Sequence, residues 1–148
     1  MTIELEVQRA TRFQPLPGDR QFEQWARAAL GQSKAAILTL RIVGLEEMRR
    51  LNRRYRGKDA ATNVLSFPAD LPGAVDLPLL GDVVLCAPLV IEEAQMQGKS
   101  PDAHWAHLTI HGILHLLGHD HVDPAEAAAM EGLEIELLGE LGIGNPYD

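Results

Sequence analysis

Ile3, Leu5 and Val7 alternate with Glu4, Glu6 and Gln8, the two-residue period of a strand with one buried face. Pro15, Pro17 and Gly18 break that pattern. Asp19 is then placed to cap a helix whose apolar side carries Phe22, Trp25, Ala26, Ala29 and Leu30 before Gly31 stops it. Residues 35–43 are apolar and partly β-branched, as a central strand requires. After Gly44, the spacing of Leu45, Met48, Leu51 and Tyr55 predicts a helix that turns these four inward. Its first turn is acidic (Glu46, Glu47) and its last basic (Arg53, Arg54), matching the helix dipole, and Gly57 ends it. Residues 63–67 predict a short strand stopped by Pro68, residues 68–78 a loop holding Pro72-Gly73, and residues 80–86 another strand. Pro88 suits the first turn of a helix reaching about Gln97, where Gly98 stops it. Ser100-Pro101 open a further helix. Asp123, Pro124 and Glu126 open the last, which buries Ala127, Met130, Leu133, Leu137 and Leu138. The order βαβαββααα predicts an α+β fold, with about four strands in one mixed sheet and about five helices. Nothing in residues 1–148 marks a repeat or an internal boundary, so one domain is expected.

Composition adds little to this, but the distribution of charge adds more. The chain is 46% hydrophobic and 23% charged, and no apolar run approaches the length of a membrane span. Its first residues are acidic and alternating, unlike a secretory signal, and its one cysteine, Cys86, excludes an internal disulfide. Cys86 ends the apolar run Val83-Val84-Leu85 and is expected as a buried small hydrophobe in a cytoplasmic protein. A net charge of −8 argues against a protein that coats nucleic acid non-specifically. Yet seven of the thirteen basic residues lie between Arg41 and Lys58, while after Lys99 there are nine acidic residues and no basic one. That cluster is either a phosphate-facing patch or a solvated helix face.

Chemistry concentrates in one stretch. All six histidines lie between His104 and His121. On a helix, His111 and His115 project from one face about a turn apart. Gly118 follows where a left-handed glycine cap would stop the helix and fold the chain back, bringing His121 to the open side of an ion held by the first two. An isolated pair of histidines four apart is common, but a third beyond a glycine is much rarer. Three histidines with a free fourth position make a catalytic zinc site, since structural zinc has all four positions filled by protein. The spacing also resembles the zinc motif of metzincin proteases, in which a glutamate general base follows the first histidine. Here that position is Gly112, which accepts no proton.

Three neutral imidazoles leave the ion's double charge uncompensated, so a bound water falls to a pKa of about 7 and an anionic phosphodiester is attracted. The arginine-rich helix end and the loop after it are the natural source of a cation for charge growing on phosphorus. Asp120, beside the third ligand, either orients a histidine or caps the turn.

The same residues carry a family resemblance. His111-Gly112, His115-Leu116, Gly118 and Asp120-His121 resemble the signature of the YbeY family, bacterial single-strand endoribonucleases. A second block agrees: Leu51-Asn52, Tyr55-Arg56-Gly57-Lys58-Asp59 and Thr62-Asn63-Val64-Leu65-Ser66-Phe67-Pro68. Gly81-Asp82 ahead of Pro88 is a third. The resemblance implies one zinc ion on His111, His115 and His121, with Arg56 as the catalytic arginine. It further implies cleavage of single-stranded ribosomal RNA in 16S 3′-end maturation and ribosome quality control, and on the residues themselves zinc hydroxide would assist that cleavage as nucleophile or base. The expected partners are RNA and the small ribosomal subunit, with neither membrane nor DNA. His119 departs from the tyrosine frequent in the family and adds a possible competing ligand. Two rivals stand beside this reading: a zinc amide or peptide hydrolase, and a non-catalytic ribosome-associated zinc protein.

Overall fold

A computed structural model describes residues 3–31, 35–69 and 78–148. The elements run β1 (Ile3–Ala10), α1 (Asp19–Leu30), β2 (Ala36–Val43), α2 (Leu45–Arg56), β3 (Val64–Pro68), β4 (Leu79–Cys86), α3 (Ala87–Gln97), α4 (Pro101–Leu116) and α5 (Pro124–Glu140). This is the expected α+β order. Of the loop expected over residues 68–78, residues 70–77 lie outside the described residues.

The four strands form one mixed sheet in the order β1-β2-β4-β3. β1 and β4 both pair parallel to β2, and β3 pairs antiparallel to β4 with Val64 opposite Leu85 and Phe67 opposite Asp82. Alternation along the strands supplies two apolar faces. Leu38, Leu40, Ile42, Val83 and Leu85 face a core completed by Phe22, Trp25, Trp105, Ile110, Ile113, Met130 and Leu138. Phe22 meets Trp105 edge-on, with ring centroids 5.9 Å apart, locking α1 against α4. On the other side Leu65, Val84 and Cys86 pack with Val43 and Met48. Cys86 is fully buried, and burial pushes its thiol pKa up.

Two local expectations are corrected. Gly18, not Asp19, caps α1: its backbone N–H donates to Gln21 Oε1 at 2.9 Å, and Asp19 is the first helical residue. On α2, Met48 and Asn52 are buried, whereas Leu45 and Tyr55 are 50% and 57% exposed. α2 covers only the small cluster at one end of the sheet, so Tyr55 turns out beside Phe67, with ring centroids 5.1 Å apart.

Helix α4 is buried along most of its length and places the site. A Cβ added at Gly112 would stand 2.5 Å from Val83 Cγ1 and 3.3 Å from both Ser66 Oγ and Val64 Cγ2. The glycine therefore lets α4 lie close upon β3 and β4. Ser66 Oγ–H donates to the Gly112 carbonyl at 2.8 Å, pinning helix to strand.

Candidate metal centre

Ser100 opens α4 by accepting from the Ala103 N–H at 3.2 Å. The other end closes as anticipated. Gly118, at φ 99°, donates its N–H to the His115 carbonyl (3.1 Å), and the His119 N–H reaches back to the Leu114 carbonyl (3.0 Å). Asp120 Oδ1 accepts the His121 N–H at 2.7 Å and lies 4.0 Å from His121 Nδ1, so the Asp120 carboxylate caps the turn.

This turn carries His121 back over α4. The ring centroids of His111 and His115 are 4.6 Å apart, and those of His121 lie 5.7 Å and 5.0 Å from them. One nitrogen from each ring falls within 4.8 Å of the others, a group that could hold a metal ion. His111 Nε2 and His115 Nε2 stand 3.1 Å apart, close to the spacing of about 3.3 Å for imidazole nitrogens on a tetrahedral zinc. The rings and their spacing fit a divalent ion with three imidazole ligands. Burial, followed by the neighbouring His111 and His121, lowers the His115 pKa and keeps that ring neutral.

The three histidines line a cleft of about 880 Å³ with Tyr55, Arg56, Thr62, Asn63 and residues 64–68 of β3. β3 is the last strand of its sheet, and its residues 64–68 form one wall of this cleft. Arg56 thus reaches the same cleft as the histidines, as the sequence implied. The helix end is capped instead by Gly57, at φ 71°, through its own N–H, and among the described residues no partner engages the Arg56 side chain. His119 lines the cleft but lies outside the converging group. Other residues of the second block hold the wall in place. Asn52 Nδ2 donates to the Ala60 carbonyl (2.8 Å), Asp59 pairs with Arg49 (2.8 Å), and Asn63 Nδ2 donates to Glu93 Oε1 (3.1 Å).

Sequence reasoning passed over Glu134. Its carboxylate, fully buried, lies 2.7 Å from His107 Nε2, 2.9 Å from His111 Nδ1 and 2.5 Å from Tyr147 Oη. Burial alone would raise its pKa, but hydrogen bonds from His107, His111 and Tyr147 outweigh it and hold the group at about 2. Burial and the same carboxylate push Tyr147 up, so its hydroxyl stays a donor. The signal was available: Glu134 lies four residues from Met130 on one side and Leu138 on the other, in the middle of a buried stripe.

Comparison with known proteins follows the same lines. The family model described as Endoribonuclease YbeY matches residues 8–142. The chain is 56% identical over 147 residues to an Endoribonuclease YbeY of Pseudomonas fluorescens, covering 98% of this chain and 96% of the other. It is 58% identical over 137 residues to one of Stenotrophomonas maltophilia, covering 89% and 85%. In fold it is similar to the solution structure of TM1509 from Thermotoga maritima, with a TM-score of 0.55 at 22% identity over 95% of this chain and 92% of that one.

Proposed function

The chain belongs to the YbeY family of endoribonucleases, and from that premise we propose that it cleaves single-stranded ribosomal RNA in 16S 3′-end maturation and ribosome quality control. Residues 1–148 act as one metal-dependent hydrolase domain, holding one zinc ion on His111, His115 and His121. It works in the cytoplasm on the small ribosomal subunit. Among the described residues no helix is long and apolar enough to cross a membrane.

The convergence of three imidazoles in the cleft that Arg56 also lines carries this reading. When bound, zinc on neutral imidazoles supplies hydroxide near neutral pH and a dication for the phosphate. Arg56 offers a planar, permanently charged fork that holds two phosphate oxygens and stabilises charge as it grows on them. The remainder of the arginine-rich helix raises the local concentration of an anionic chain on an otherwise acidic protein. Asp120 Oδ1 accepts the His121 backbone N–H, and the buried Glu134 has both oxygens engaged by His107, His111 and Tyr147. At the place of the protease glutamate, Gly112 is pressed against Val83. These features disfavour the peptide-hydrolase rival.

The decisive experiment is elemental analysis of the purified chain paired with assays on unstructured RNA and on casein, with and without chelator. RNA should be cut only with metal present, and casein should stay whole. Arg56→Ala should keep its zinc and lose about 100-fold or more in RNA cleavage; cleavage at the wild-type rate would strip Arg56 of its role. Unfolding on metal removal, with no RNA cleavage beforehand, would favour the non-catalytic reading.

A further inference from the structure

Behind the three-histidine group, α4 and α5 enclose His107 and the fully buried Glu134, which the reaction above leaves unused, and Tyr147, half exposed beyond α5, joins them. Both oxygens of Glu134 are occupied, Oε1 by His107 Nε2 (2.7 Å) and Tyr147 Oη (2.5 Å), Oε2 by His111 Nδ1 (2.9 Å). A fully buried carboxylate is tolerated only when donors surround it. These are lengths of charge-assisted hydrogen bonds. His107, His111 and Glu134 also bring one ligand atom each within 4.8 Å of one another, but here each histidine contributes a nitrogen hydrogen-bonded to the carboxylate.

The arrangement has a consequence for His111. An ionised carboxylate only accepts, so His111 must present Nδ1 as N–H. A neutral imidazole carries one proton, which leaves the lone pair on Nε2, the nitrogen 3.1 Å from His115 Nε2. The same logic puts the proton of His107 on Nε2, and its Nδ1 is correspondingly buried without a partner. Tyr147, beyond the end of α5, donates the third hydrogen bond. Its segment is anchored by Lys99, whose Nζ donates to the Pro146 carbonyl at 2.5 Å.

Resting on the three-histidine reading, we propose that Glu134 is a positioning residue for the metal site. It fixes His111 as the Nδ1–H tautomer with Nε2 aimed at the ion, and His107 and Tyr147 hold Glu134 in place. The support of the site thereby extends to Tyr147, outside the helix that bears two of the ligands.

The test measures zinc affinity by chelator competition for the full chain, Glu134→Gln and Tyr147→Phe, alongside thermal unfolding of each metal-free protein. Nitrogen NMR of the metal-free wild type at pH 8 reads the His111 tautomer directly. Glu134→Gln should fold, lose about 10–100-fold in zinc affinity, and show His111 in mixed tautomers. Tyr147→Phe should keep the tautomer and lose less affinity. Wild-type affinity in both variants, or a wild-type His111 protonated on Nε2, overturns the proposal. If Glu134→Gln does not fold, Tyr147→Phe and the wild-type tautomer decide the matter. A wild type that takes up no zinc removes the ion site and the proposal together, whereas a zinc-binding wild type with unaffected variants removes the proposal alone.

Discussion

Gly112 shows how one absent side chain serves two ends. It brings α4 within reach of β3 and β4, and it leaves the position beside His111 without a functional group. Val83, which a Cβ would strike, is β-branched and fully buried, so it has little room to yield. Gly112→Ala should therefore destabilise the fold by about 1–3 kcal/mol despite its better helix propensity, as read from the shift in a urea denaturation midpoint. A gain in stability would mean that the helix can lift from the sheet at little cost. The glycine was visible in the sequence as a missing base, but its packing role was not, because the partner Val83 is brought there only by tertiary structure. Glu134 presents the opposite case. The acid stood at a core position of an apolar helical stripe, and a charge there calls for a partner. Which partners it finds depends on how α4 and α5 pack, which local sequence does not encode.

At the scale of elements, the segment from α2 through β3 forms the wall that carries Arg56. Its cap at Gly57 and its dipole charges were legible, since such signals are local. Asn52 and Tyr55 were harder to place. Helical spacing marks a face as inward, but α2 overlies just one end of the sheet, so a buried amide and an exposed aromatic exchange their usual places. Asn52 holds the Ala60 carbonyl, and with it the loop leaving the helix. Asn52→Ala should cost about 1–2 kcal/mol in unfolding free energy and lower RNA cleavage while zinc content stays unchanged. Equal loss of zinc and activity would show that the loop and the histidine site are not separate supports. The turn after α4 was legible because Gly118, three residues past His115, can take the positive φ that a left-handed cap requires.

Across the molecule, strand and helix order could be read from periodicity, whereas the sheet order β1-β2-β4-β3 could not. Pairing β2 with β4 leaves β3 at the margin, where it walls the cleft, and only contacts distant in sequence decide that. The proposed ion would join the body of α4 to the chain beyond it, and a ligand that binds only the folded state stabilises by mass action. Free zinc at 100 times its dissociation constant should add about 2.7 kcal/mol, seen as a rise in unfolding temperature that chelator reverses. An unchanged unfolding temperature would count against the site.

The burial of Cys86 gives the chain a built-in clock. Its sulfur sits at the seam between β4 and α3, sealed from solvent and reluctant to ionise. A thiol-specific dye can reach it only when that seam parts. The pace of labelling therefore counts openings of the core, and an ion in the histidine cleft slows those openings that would release it.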